Sequence, residues 1–165
     1  MRQEILNWKD VEALIDHLLP QLAGTFDALL LITRGGIIPG GMIAEALDIS
    51  NVLTAAVRFQ AELEEKRMAW PTFWQFPDHA LLNERRVLVV DDVWNSGRTI
   101  TSVCGRVQAA GGRAETAVLH YKPGQSLFKQ AGPTYYAAIT DAYIVYPWEM
   151  RRGLHGMSLP SVMPH

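Results

Sequence analysis

Two adjacent acids, Asp91 and Asp92, close the apolar run Val87-Leu88-Val89-Val90 and lead into Val93-Trp94-Asn95-Ser96-Gly97-Arg98-Thr99. A run of that kind reads as a buried strand of a parallel sheet. Ligands of open α/β sheets bind outside the carboxyl ends of such strands, so carboxylates placed there face a ligand crevice rather than the core. The Gly-containing turn that follows opens a helix from Thr99 onward. Backbone N–H groups in such a turn, backed by a helix N-terminus, make an anion cradle. Acids suited to hydroxyls or a metal, beside a nest suited to a phosphate, point to a phosphorylated sugar.

The elements that would position these residues follow from periodicity. Val11, Leu14, Ile15, Leu18 and Leu19 recur at helical spacing between Trp8 and Leu22, closed by Pro20 and Gly24. Ala28 to Ile32 is a short apolar run, a buried strand ending in the turn Thr33-Arg34-Gly35-Gly36. Pro39 suits the first turn of a helix that runs through Leu47. Val52 to Phe59, Thr116 to Tyr121 and Tyr135 to Ile139 read as further strands, and Thr99 to Ala110 as a helix stopped by Gly111-Gly112. Ala61 to Glu84 fits no single period and reads as an excursion from the core, a hairpin or flap. The tail from Asp141 is aromatic and Pro-punctuated. The alternation of strands and helices predicts an α/β fold with a mostly parallel central sheet. Neither a GxxxxGK[ST] nor a GxGxxG fingerprint is present, so the common nucleotide loops are not supported.

Composition narrows the class. A chain of 165 residues fits one domain with a real core. The net charge of −2 gives no reason to expect nucleic acid. The pairs Arg85-Arg86 and Arg151-Arg152 read as surface solvation. One cysteine, Cys104, excludes an internal disulfide and fits a reducing cytosol, with the thiol packed as a small hydrophobe. No N-terminal signal pattern and no membrane-length apolar run are visible, so a cytoplasmic location is expected. His17, His79, His120, His155 and His165 form no zinc-like pair and read as structural or solvated.

The stretch 87–99 resembles the phosphoribosyl-pyrophosphate (PRPP) motif of the type I phosphoribosyltransferases. Thr33 to Gly40 resembles the pyrophosphate loop of the bacterial xanthine-guanine branch. Tyr121-Lys122-Pro123-Gly124 resembles its Lys-Pro segment. Asp141-Ala142-Tyr143-Ile144 with Pro147-Trp148-Glu149-Met150 resembles its C-terminal hood, and Asn7-Trp8 also has a counterpart. The resemblance implies a single domain over 1–165, a flap near 61–84 and a hood near 141–165. It implies transfer of the ribose phosphate of PRPP to a purine base (xanthine, guanine or hypoxanthine) with Mg²⁺, in purine salvage, by a homodimer or tetramer.

It also implies residue roles. Asp91 and Asp92 hold ribose hydroxyls, with Asp92 on the metal side. Asn95, Ser96, Gly97, Arg98 and Thr99 wrap the 5′-phosphate, Arg98 standing where relatives often have Gly or Lys. Arg34 and Gly35 bind pyrophosphate, and a non-proline cis peptide is expected at Thr33-Arg34. Arg67 lies where the flap contacts pyrophosphate. Lys122 recognises the exocyclic oxygen of a 6-oxopurine, because a lysine only donates. Tyr143 stacks on the base, Ile144 offers backbone contacts, and Trp148 packs the hood. Asn95 departs from the Asp that 6-oxopurine enzymes often carry, and Asn is no general base at ordinary pH. That departure leaves two alternatives open: a PRPP- or nucleotide-binding regulator without turnover, and a transferase for a non-purine base.

Overall fold

The structure, a computed structural model, describes residues 2–59 and 70–149. Strand β1 (Gln3–Ile5) leads into α1 (Trp8–Leu18). Then come β2 (Ala28–Ile32), α2 (Ile37–Leu47), β3 (Val52–Phe59), β4 (Pro71–Gln75), β5 (Arg86–Trp94), α3 (Arg98–Ala109), β6 (Arg113–Tyr121), β7 (Tyr135–Ile139) and β8 (Tyr143–Val145). The main sheet has the order β4-β3-β2-β5-β6-β7. All its neighbours are parallel except the edge pair β3 and β4.

Strand alternation builds a core on each face of this sheet. Leu29, Leu31, Leu88, Val90 and Leu119 pack under α1 and α2, against Val11, Ile15 and Ile43. Leu30, Ile32, Val87, Val89 and Val118 pack on the other face, against Ile100, Val103 and Val107 of α3. The chain therefore leaves β2 on one side of the sheet and β5 on the other. These two strands are neighbours, and between them lies the topological switch point where α/β sheets open a crevice. Helix α1 starts from a capping box: Asp10 N–H donates to Asn7 Oδ1 at 3.0 Å, and Asn7 N–H to Asp10 Oδ2 at 2.8 Å.

Several expectations change. Strand β5 continues through Asp91, Asp92 and Trp94, four residues past the apolar run, because β6 pairs with it as far as Tyr121. Helix α2 begins at Ile37, two residues before Pro39, and α1 gives way at Leu19 to one 3-10 turn. Part of the segment expected as a hairpin or flap over 61–84 pairs as an antiparallel hairpin with β3. Residues 60–69 lie outside the described residues, but Pro71–Gln75 belongs to the sheet and Leu82 is fully buried in the core. Guanidinium–aromatic contacts hold this hairpin down. Arg98 and Arg106 share one face of α3, with Arg98 4.5 Å from the Phe59 ring and Arg106 4.3 Å from Phe73. The irregular tail forms β8, which pairs in parallel with β1 and ties the hood to the N-terminal segment.

Arg86 is not a solvated surface charge. It forms a two-nitrogen ion pair with Glu115, donates to the carbonyls of Ala23 and Thr25, and lies 4.1 Å from the Phe26 ring. Tyr135 O–H also donates to Glu115. The bonds from Arg86 first, and from Tyr135 after it, hold the Glu115 carboxyl below the ordinary carboxylate range. A depressed folded-state pKa adds stability above the unfolded pKa, and that contribution is lost as pH falls through the folded value. Glu115→Gln is therefore expected to cost about 1 kcal/mol, the solvent-screened worth of a partly exposed pair. Chemical denaturation across pH checks it: the gap to the parent should be full above about pH 5 and shrink in more acid solution.

Candidate functional site

The two loops at the switch point touch. The turn after β2 carries a cis Thr33–Arg34 peptide, as the resemblance implies. It is pinned by Thr33 N–H to the Ala55 carbonyl at 2.9 Å and Gly36 N–H to the Ile32 carbonyl at 2.8 Å. A Cβ on Gly35 would lie 2.6 Å from the Asp92 carboxylate, and one on Gly36 would collide with the Val90 carbonyl. Only backbone fits between the turn and the end of β5. Arg34 is exposed, and the turn brings Gly35 onto Asp92, next to Asp91.

The acid pair is recessed. Asp92 N–H donates to Asp91 Oδ1 at 2.9 Å, curling the first carboxylate toward the second. Burial first and the charge of Asp92 next push the Asp91 carboxyl well above its ordinary value. Burial first and the charge of Glu149 next push Asp92 up. The ion pairs among the described residues lie elsewhere, in Arg2 with Glu4 and Asp141 and in Arg86 with Glu115. Crowded carboxylates of this kind accept hydroxyl donors or a hard cation.

The next turn is shaped by Trp94. Gly97 has φ +82°, and a Cβ there would lie 2.5 Å from the indole. That indole is buried against Tyr121 and Phe128, and its Nε1–H donates to Ser126 Oγ at 3.1 Å. Ser96 Oγ accepts from Arg98 N–H at 3.3 Å, and the Ser96 carbonyl accepts from Leu127 N–H at 3.0 Å. Asn95 is exposed at the start of the turn, and Thr99 follows in the first turn of α3. This N-terminus of a 12-residue helix is suited to an anion. The Arg98 guanidinium lies over the Phe59 ring.

The far end of the crevice belongs to β6 and the hood. Lys122 is buried, 6% exposed, unlike a solvated lysine after a strand, and its Nζ lies 6.0 Å from the Tyr143 ring. Its N–H donates to the Trp94 carbonyl, so it shares a scaffold with the anion turn. A cavity of ≈ 340 Å³ opens here, lined by Arg2, Lys122, Pro123, Ile139, Thr140 and Asp141. Tyr143 is half exposed, whereas the Ile144 side chain is in the core, leaving only its backbone to a ligand. Trp148 packs the hood, stacked on Tyr146 at 4.6 Å and tilted against Trp8. Arg67 lies outside the described residues. Cys104 packs beside the α3 core, and burial pushes its thiol up to about 12, which leaves it inert.

Two residues escaped the sequence reading. Tyr146 is 1% exposed; its O–H donates to the Asp92 main-chain carbonyl at 3.1 Å and meets His120 Nδ1 at 2.7 Å. Glu149 accepts from Tyr146 N–H at 2.8 Å and adds negative charge beside Asp92. The period-two alternation of Ile144 and Tyr146 inward against Tyr143 outward was the available signal for the first.

A family model described as the phosphoribosyl transferase domain matches residues 1–151, and the chain belongs to that family. It is 30% identical over 129 residues to the xanthine-guanine phosphoribosyltransferase of Cereibacter sphaeroides, across 77% of this chain and 71% of that one. A xanthine-guanine phosphoribosyltransferase of a Ruegeria species is 29% identical over 136 residues, covering 77% of this chain and 70% of its own. The crystal structure of a purine phosphoribosyltransferase from Pyrococcus horikoshii superposes with a TM-score of 0.75 at 28% identity, over 94% of this chain and 100% of that one.

Gly35→Ala is expected to leave the fold intact and to force the turn off Asp92, with ligand affinity falling by about tenfold or more. Circular dichroism together with ligand titration checks it.

Proposed function

We propose that the chain transfers the 5-phosphoribosyl group of PRPP to a 6-oxopurine (xanthine, guanine or hypoxanthine), giving a nucleoside 5′-monophosphate and pyrophosphate in purine salvage. The observation that carries this reading is the convergence of Gly35 on Asp92 beside the anion turn at the start of α3. In it, Asp91 and Asp92 hold the ribose hydroxyls, and residues 95–99 receive the 5′-phosphate. Arg34 and the Gly35 backbone receive the pyrophosphate, a contact to which Arg67 belongs by resemblance. Lys122 donates to the 6-oxo group, Tyr143 stacks on the purine and the Ile144 backbone edges it.

The bond from the anomeric carbon to the pyrophosphate oxygen breaks as the bond to the ring nitrogen forms. Positive charge develops on the ribose beside Asp91 and Asp92, where recessed carboxylates stabilise it. Asn95 accepts a hydrogen bond from the purine through its carboxamide oxygen but takes no proton, so that proton leaves by solvent. The crowded carboxylates fit Mg²⁺, with Asp92 as its holder. When bound, the ion would offset the charge of the departing pyrophosphate. The reading carries with it one domain over 1–165, a homodimer or tetramer, and a cytoplasmic location. Among the described residues no helix is long and apolar enough to cross a membrane.

The test is pyrophosphate release with PRPP, Mg²⁺ and a panel of guanine, xanthine, hypoxanthine, adenine, uracil and orotate. Release with a 6-oxopurine is expected. Release with none of the bases would leave a PRPP-binding regulator, and release with uracil or orotate alone a different transferase. In the same assay Asn95→Asp should raise kcat by about tenfold, by supplying a proton acceptor. An unchanged or lower rate would remove Asn95 from the base side.

A further inference from the structure

We propose that Tyr146 is a positioning residue for the transfer, its hydroxyl fixing the base-stacking hood in register with the acid strand. The inference rests on the purine-transfer reading above. The hood carries Tyr143 and Glu149, and its main-chain bonds run to β1, in Tyr143 N–H to the Arg2 carbonyl and Leu6 N–H to the Val145 carbonyl. Among the described residues, strand β1 pairs with β8 alone, outside the six-stranded sheet. The Tyr146 hydroxyl is different: it bonds β5 at Asp92 and β6 at His120, the two strands that end at the site. Purine held on Tyr143 and ribose held by Asp92 must meet at one carbon, and near-attack geometry tolerates little misplacement. A single buried hydroxyl spanning hood, β5 and β6 supplies that register.

Proton accounting fixes the direction of the relay. The Asp92 carbonyl can only accept, so the one Tyr146 hydroxyl proton is given there. His120 Nδ1 must then donate to the hydroxyl oxygen, which requires the neutral imidazole to carry its proton on Nδ1. The His120 end is buried, 4% exposed, and the Asp92 end is part-buried, so water does not replace the lost partner at His120 cheaply. The Tyr146 ring has a separate packing role through its stack on Trp148. Phenylalanine keeps that stack and removes only the relay.

Tyr146→Phe, His120→Leu and His120→Asn are compared with the parent for purine and PRPP kinetics and for Tm. Tyr146→Phe should lower kcat/KM for the purine about tenfold, with KM for PRPP moved less than about twofold and Tm lowered by only a few degrees. His120→Leu should reproduce that split. His120→Asn, whose amide N–H stands in for Nδ1–H, should retain most of the parent's value. Long-range ¹H–¹⁵N spectra of the parent should show His120 as the Nδ1–H tautomer. Unimpaired Tyr146→Phe would overturn the inference. So would a joint loss in both KM values that tracks Tm, or an Nε2–H tautomer. A parent that turns over beside an unimpaired Tyr146→Phe defeats this inference alone. A parent that releases no pyrophosphate with any purine defeats the underlying reading and this one with it.

Discussion

The approach of bare backbone to the carboxylate at the switch point is the contact on which the site depends. Gly35 lies against Asp92 so closely that no side chain fits between them. The contact exists because β2 and β5 are parallel neighbours whose following helices leave on opposite faces. The turns after both strands must then meet at one crevice. One turn brings Arg34, the other brings the acids and the helix N-terminus. Charge of both signs is concentrated there by topology, before any ligand is present.

A second constraint joins the ends of the crevice. Trp94 fills the space beneath Gly97, bonds Ser126, and through its carbonyl holds the start of the Lys122 segment. The anion turn and the buried lysine are thus one packed unit. The hood is attached differently, by two short parallel strands and aromatic stacking through Trp148 and Tyr146. Its negative end, Glu149, crowds the Asp92 carboxylate that burial has already raised. A recess whose carboxylates form no ion pair among the described residues is poised for cationic or hydroxyl-bearing ligands rather than for stability.

Much of this was legible in the residues. Buried strands such as Ala28–Ile32 announced themselves by unbroken apolar runs, and α2 and α3 by their flanking Gly and Pro. The acids and the Gly-containing turn stood out by residue type and by their place after an apolar run, whereas Arg34 was singled out only by the resemblance. The continuation of β5 through Asp91 and Asp92 was not, since partner strand β6 decides it and polar residues hide it. Residues 71–84 resisted for a similar reason. Their core anchors, Phe73, Phe76 and Leu82, lack a common period, and Arg106 satisfies two of them from a distant helix. Tyr146 and His120 are 26 residues apart and meet only through the fold.

The central claim is that the converging turns form one site for a sugar phosphate bearing pyrophosphate. Calorimetric titration of PRPP into the protein with Mg²⁺ tests it most directly, alongside the variant in which Asp91 and Asp92 are both Asn. The account predicts one site per chain in the parent and loss of at least about a hundredfold in affinity in the variant, as expected when charge-assisted contacts are removed. Equal affinity in the two proteins, or no binding to the parent, would contradict it.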